Sequence, residues 1–558
     1  MKYTLPVLFV FLSASVVMGQ WKSSPFINNK VAATSDHELA PVSVSDGKGG
    51  SIVFYRVGND IKAQKITSSG AIAWGDTLNS VTICTGSTFR MLPLADGAGG
   101  GYLVWEDYRN NVNNRELYVQ HISASGVPVW TQNGVRVTYN GNVQDNYSPF
   151  LCSDGNGGVI LGWTGDDLVG NVQLYTQRLT SNGAPLWQSN GIRVCTAPGF
   201  RYGYYAVEDG HGGAIFSFVD TRNDPNGLNY QYLDSSFINL DIYGQRIDAA
   251  GNRLWSGTGS PVSLAPGNQR SRDYFSGVRT NTNVVSDGHG GALFVFDDGR
   301  NDSTGTYRYA DNNDIYIQKL DSAGNAVWPT NGVPVCNADS NQNLENIIQD
   351  GSGGAVVCWN FQNDRYMYAQ RISGSGTRLW PVDGIQLSPS GGRSHIAGGL
   401  YDGAGNYVFV FMFQGTQYTE LKAQKINGAG ILQWGANGTL ISNTYHNSDI
   451  QIQLVSSNSS SFIASWYDYK KPGSVSFDIF ASRILDNGTL AHTYFTNGTG
   501  NWHTPATWVG GIVPPGSALV VIRHAITVTG NATCFSLLVE PPNGTVTVKA
   551  GAQLTVTH

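Results

Sequence analysis

Apolar and polar residues alternate over short runs along most of this chain, and glycine-rich turns separate the runs. A two-residue period sends successive side chains to opposite faces, so it predicts strands rather than helices. The phrase Asp-Gly-x-Gly-Gly starts at Asp46, Asp96, Asp154, Asp209, Asp287 and Asp350, with Asp-Gly-Ala-Gly-Asn at Asp402. Each copy leads into an apolar run ending in an aromatic, such as Tyr102-Leu103-Val104-Trp105. A polar loop comes next, then a run with a recurring glutamine: Gln64, Gln120, Gln177, Gln245, Gln318, Gln370 and Gln424. Beyond it lie a second glycine turn and a tryptophan: Trp74, Trp130, Trp187, Trp255, Trp328, Trp380 and Trp434. A phrase Asn-Gly-Val-x-Val, as at Asn133 to Val137, leads to the next unit. An eighth copy, from Gln451, keeps Trp466, Asp468 and Arg483 but lacks the Asp-Gly turn and the final tryptophan.

Glycine supplies the positive φ of a tight turn and aspartate bonds its own downstream amides, so each Asp-Gly phrase predicts a hairpin. Each unit then reads as four antiparallel strands. In the second unit these fall at Pro93-Leu94, Gly99 to Trp105, Leu117 to Ile122 and Val127 to Trp130. One such sheet cannot bury both faces alone, and a ring of sheets solves this with only short edges left over. The expected fold is all-β: a β-propeller of four-stranded antiparallel blades over 20–494, with eight blades expected and seven as the alternative. The lead-in Asn28 to Ala32 resembles the Asn-Gly-Val-x-Val phrase and could give the last blade an outer strand that closes the ring. An open solenoid would need polar end caps, and none is evident.

Composition narrows the class. Charged residues are 13% of 558 and aromatics 11%, too apolar for a disordered chain. The net charge of −6 comes with no basic cluster, which argues against nucleic acid as a partner. Residues 1–19 read as a secretory signal peptide: Lys2, an apolar run from Leu5 to Val17, and small residues before a cut at Gln20. That run is too short to span a bilayer comfortably, and no later stretch suits a transmembrane segment. The expected location is secreted, extracellular or at the cell surface, as a monomer. Six cysteines are thinly spread; Cys84, Cys195 and Cys336 share one repeat position and read as small buried apolar residues.

The repeated phrase Asp-Gly-x-Gly-Gly…Trp-x-Asp-x-Arg…Asp-Ile-Tyr-x-Gln-Arg resembles the repeats of large secreted β-propeller proteins of Bacteroidetes-type bacteria. Those proteins often carry cell-surface sorting tails, so the resemblance implies export and surface display, with no catalysis assigned. After Thr493 the pattern changes. Asn501 to Trp508 and Gly510 to Pro514, trailed by short apolar runs, resemble the openings of modules in the same proteins. Residues 495–558 are expected to begin a β-helix or a small β-sandwich and to be truncated.

Chemistry is sparse. The loops between second and third strands are long in the fourth and fifth units, Asp220 to Asp241 and Asp297 to Asp314. Long loops on a rigid scaffold are the usual place for function. Their flat aromatics and planar donors suit a sugar or peptide, so the candidate binding residues are Arg222, Asp224, Tyr230, Tyr232, Arg300, Asp302, Tyr307 and Tyr309. The recurring Asp-x-Arg at Asp107/Arg109, Asp220/Arg222 and Asp298/Arg300 reads as structural: a turn-capping aspartate with an arginine reaching a neighbouring blade. Asp311-Asn312-Asn313-Asp314 could hold Ca²⁺ but lacks EF-hand spacing; no other cofactor and no metal ligand set is expected. His211 and His289 occupy a variable turn position. A glycoside hydrolase would need paired carboxylates; Asp297 and Asp298 with Asp224 could be read that way, but nothing singles them out from the other loop aspartates. The expected function is non-enzymatic binding of an extracellular glycan or protein, in an adhesion or scaffold role. The alternative is a carbohydrate-active enzyme working on the long-loop face.

Overall fold

A computed structural model describes residues 21–26, 28–86, 88–139, 145–166, 172–225, 239–270, 283–302, 312–361, 365–415, 419–443, 452–458, 461–469, 476–509, 511–516, 518–534, 536–539 and 542–556. It is an eight-bladed β-propeller with a small β module after it. Blade two shows the pattern, with strands Thr88–Ala95, Gly101–Asp107, Glu116–Ile122 and Val135–Arg136 from inside outward. The innermost strands touch one another in order, and the eighth meets the first. Apolar clusters lie between successive blades all the way round, such as Ile52, Phe54, Leu103 and Trp105 between blades one and two. The core is therefore a circle of interfaces, which explains why the second strands are apolar on both faces.

The outermost strand differs from the sequence reading. Val127 to Trp130 makes one isolated bridge, Ile122 to Pro128, and the ladder is completed by Val135–Arg136 of the Asn-Gly-Val-x-Val phrase. The intervening turn is organised by the recurring glutamine. Its Nε2 donates to the carbonyl eleven or twelve residues on, at 2.6–2.9 Å, in all seven copies. Its Oε1 accepts from the tryptophan amide ten residues on, at 3.0–3.3 Å. The same Oε1 also accepts from the amide of the next residue, so one buried glutamine, whose side-chain amide both donates and accepts, serves three backbone groups.

The Asp-Gly hairpins form as expected. In each, the aspartate Oδ1 accepts from the amides two and four residues on; at Asp46 the distances are 2.8 Å and 2.7 Å. The other oxygen faces a lysine or arginine of the third strand in six of the seven, as in Arg246–Asp209 at 2.9 Å and Arg371–Asp350 at 2.9 Å, and His121 in blade two. In blade eight this aspartate is missing. Arg483 there donates to Ser461 Oγ and to the Ser68 carbonyl, and burial lowers its pKa to about 10.

Blade eight is assembled from both ends of the propeller. Its inner three strands are Ile452–Asn458, Ser461–Tyr469 and Phe477–Leu485, and its fourth is Asn29–Ala32, antiparallel to the third. The missing tryptophan is also supplied by the N-terminal segment. In the other blades the tryptophan Nε1 donates to a carbonyl in the next blade's outer hairpin, as Trp74 does to Ala124 and Trp434 to Asp486. Trp21, fully buried, does the same to Ser68 of blade one at 2.8 Å. A glycine of the receiving hairpin lies against the ring. Gly70 has φ +87°, and a Cβ there would come within 2.9 Å of the Trp21 amide nitrogen. Asn28 completes the imitation: it accepts from Ser442 of blade seven, as Asn133 accepts from Thr85 of the preceding blade.

Beyond the propeller, strands pair in parallel in three ladders: Thr493–Phe495 with Leu519–Ile522 and Ser536–Val539, Gly500–Asn501 with Ala525–Val528 and Thr545–Val548, and Ala532–Cys534 with Leu554–Val556. Stacked parallel ladders are the arrangement of β-helix coils and not of an antiparallel sandwich. Trp502 and Trp508 fill its core with ring centroids 5.1 Å apart. All six cysteines are buried and none forms a disulfide.

If Trp21 closes the ring, Trp21→Ala should destabilise the chain by about 3–5 kcal/mol, matching Trp255→Ala. Phe26→Ala, at a side chain 65% exposed, should change the urea midpoint little. Equal, small shifts for Trp21→Ala and Phe26→Ala would sink the idea.

Candidate functional site

The long connections of blades four and five leave second strands Ala214–Asp220 and Ala292–Asp298 and return at third strands Asp241–Ile247 and Asp314–Leu320. Both have the same base. Arg222 Nη2 pairs with Asp220 Oδ2 at 2.6 Å, and its guanidinium lies 3.8 Å from the Tyr243 ring centroid. Arg300 Nη2 pairs with Asp298 Oδ2 at 2.6 Å and lies 3.7 Å from the Tyr316 ring. Each guanidinium also donates to a backbone carbonyl, Thr258 at 2.7 Å and Asn331 at 3.0 Å. Blade two repeats this with Arg109, Asp107, Tyr118 and Asn133. The arginine therefore ties the second strand of its own blade to the third and fourth, and in blades two and four it also reaches the preceding blade as expected, with Arg109 Nη2 2.8 Å from Cys84 Sγ and Arg222 Nη2 3.3 Å from Cys195 Sγ. A planar donor that also stacks suits this junction, and lysine would do only half of it.

Asparagine then closes the base: Asn223 Nδ2 donates to Asp241 Oδ2 at 2.7 Å, and Asn301 Nδ2 to Asp314 Oδ2 at 2.7 Å. Burial pushes these two carboxyls up from 3.8 to about 6, opposed by the asparagine bonds and reinforced by Asp220 and Asp298. Asp224, buried, accepts from the Asn239 amide at 2.7 Å across the mouth of its loop. The Asp302 amide donates to the Gly299 carbonyl at 3.0 Å. Of the eight candidate residues, Arg222, Asp224, Arg300 and Asp302 thus stand at the loop bases. Tyr230, Tyr232, Tyr307 and Tyr309 lie outside the described residues.

The carboxylates considered for hydrolysis are bonded to the scaffold. Asp297 Oδ1 accepts from the Leu344 amide of blade six at 2.7 Å, and Asp298 holds Arg300. Glu106 of blade two does for Ser148 of blade three what Asp297 does for Leu344. In the proposed calcium phrase, Asn312 Oδ1 accepts from the Ser340 amide, Asp314 accepts from Asn301, and Asp311 lies outside the described residues. Among the described residues no group of three His, Cys, Asp or Glu is placed to hold a metal. Nor does any described helix have the length and apolarity to cross a membrane.

Sequence reasoning missed the role of the asparagine after Asp-x-Arg. Asn110, Asn223 and Asn301 were legible as a recurring position, and Asn110 donates to Glu116 and Tyr118 as its counterparts do to Asp241 and Asp314.

No family model and no curated protein matches the chain. Among solved structures, a protein of unknown function from Dyadobacter fermentans is 14% identical, covering 62% of this chain and 96% of its own at a TM-score of 0.36. Polysaccharide lyase Uly1 is 11% identical, covering 75% and 94%, at 0.36. Apo prolyl oligopeptidase B from Galerina marginata is 9% identical, covering 85% and 59%, at 0.40. Such distant likenesses assign neither a family nor an activity.

The raised carboxyls at Asp241 and Asp314 bind protons more readily folded than unfolded. Their contribution to stability is thus complete at low pH and lost as pH rises through roughly 4 to 6. Asp241→Asn and Asp314→Asn together should flatten the fall in melting temperature across that window. An unchanged pH profile would show that these groups are not shifted.

Proposed function

We propose that the chain is a secreted or surface-displayed, non-enzymatic β-propeller that binds an extracellular glycan or protein as an adhesion or scaffold module. The observation that carries this reading is the pair of long connections in blades four and five, rooted on one repeated clamp of aspartate, arginine, asparagine and tyrosine. A rigid base lowers the ordering cost of whatever the loop contacts. Tyr230, Tyr232, Tyr307 and Tyr309 are the contact residues of this proposal, with Arg222, Asp224, Arg300 and Asp302 positioning the loops that carry them. Binding is favoured over glycoside hydrolysis because Asp297, Asp298 and Asp224 each serve a scaffold bond.

Export is supported by the apolar segment 1–19 and by the position of Trp21. A cut before Gln20 leaves Trp21 as the second residue of the exported chain, so the segment that completes blade eight starts at the cut. The resemblance to Bacteroidetes-type surface proteins is part of this proposal and rests on the repeat phrases.

A glycan array probed with the exported chain should show selective binding that the variant Tyr230/Tyr232/Tyr307/Tyr309→Ala loses while melting at the wild-type temperature. Undiminished binding by that variant would remove the loops from the account, and a blank array would remove the glycan.

A further inference from the structure

Blade three departs from the repeat at its outer edge, and a cavity opens there. It measures about 490 Å³ and lies between the outer strand of blade three and the outer hairpin of blade four. That volume is in the range of small-ligand sites. Its lining includes Tyr175, Gln188, Ser189, Asn190, Arg193 and Arg253, two cations and no carboxylate.

Comparison with blade two explains the surplus charge. Arg136 and Arg193 occupy the same position, each opposite a third-strand tyrosine, Tyr118 and Tyr175. Arg136 is neutralised by Glu116 and stacks 4.4 Å from the Tyr139 ring centroid. Two residues before Tyr175, where blade two has Glu116, blade three has Gln173. Gln173 is uncharged and turned to blade four, donating to the Gly199 carbonyl and accepting from Arg201. Arg193 thus lacks the counter-ion its counterpart has, and its Nε is buried with no hydrogen-bond partner. Arg253 adds a second cation, held in place because its guanidinium donates to the Arg193 carbonyl. Neither arginine forms an ion pair among the described residues. The Asp-x-Arg phrase is also gone from the sequence: Trp163 is followed by Thr164-Gly165-Asp166-Asp167, where blade two has Glu106-Asp107-Tyr108-Arg109.

We propose that this cleft binds an acidic saccharide unit, with Arg193 as the counter-ion of its carboxylate or sulfate and Tyr175 against the sugar ring. The inference rests on the glycan-binding reading but places a site apart from the long loops. Guanidinium matches the geometry of both anions, an aromatic ring suits a sugar's C–H face, and the side chains of Gln188, Ser189 and Asn190 suit its hydroxyls.

The test is calorimetric titration of the exported chain with three galactan-type hexasaccharides: galacturonate, sulfated and neutral. At least one acidic hexasaccharide should bind, and the neutral one should bind at least tenfold more weakly. The stronger of the two acidic arms identifies the anion. Arg193→Gln should weaken acidic binding about tenfold or more. Arg193→Lys, which keeps the charge without the fork, should weaken it less and guards against a folding defect in the first variant. Arg136→Gln, at the same position of blade two, should bind like wild type. Acidic binding unchanged in Arg193→Gln, equal binding of the neutral sugar, or no binding of either acidic sugar overturns the cleft. In the last case the glycan reading survives if the array shows binding that depends on the loop tyrosines.

Discussion

Every blade depends on the tryptophan that reaches out of it. The indole N–H donates to a carbonyl of the next blade's outer hairpin at 2.8–3.3 Å, eight times round the ring. A glycine at positive φ sits against each ring, because any side chain there would crowd the indole. One residue type thus meets three requirements at once: it buries a large apolar surface, satisfies its own polar atom and fixes the next blade's position. The glutamine ten residues earlier holds the tryptophan's own amide, so the latch is anchored within its blade before it engages the neighbour.

A ring of latches needs a last one, and the chain makes it with its N-terminal segment. Trp21, Asn28 and Asn29–Ala32 stand where the tryptophan, asparagine and outer strand stand in other blades. The seam falls between the third and fourth strands of blade eight. Distant parts of the sequence are joined there by the Lys30–Asp478 ion pair at 2.7 Å and the Asn29–Ala481 hydrogen bond at 3.1 Å. Leu519 of the C-terminal module packs into the same apolar cluster, so three parts of the chain meet at one interface.

The fold was legible because the repeat states it seven times over, and each copy confirms the turn chemistry of the others. Distance and register hid the rest. The outer strand lies several residues beyond its expected place because Val127 to Trp130 alternates as well as Val135 to Val137 does, and only the glutamine bridge decides between them. The lead-in strand could be suspected from Asn28 to Ala32, but Trp21 stands alone, without the glutamine and turn that flag its counterparts. The Asp-x-Arg motif was readable as structural, with its reach to the neighbouring blade; what stayed hidden is that the arginine also stacks on a tyrosine of its own blade, because that contact depends on the register of second and third strands. The cleft of blade three left no motif at all. It arises from two losses, Glu116 to Gln173 and the missing Asp-x-Arg arginine, and a loss is visible only when the copies are superposed.

Closure by the N-terminal segment is the claim on which the architecture stands. Hydrogen exchange of residues 20–558, read out by mass spectrometry, tests it without altering a residue. Peptides covering 21–32 and 477–485 should exchange as slowly as the outer and third strands of blades two to seven, because Asn29–Ala32 pairs with the third strand as the other outer strands do. Rapid exchange in 21–32, with the other blades protected, would mean that the ring is held shut by something other than Trp21 and its strand.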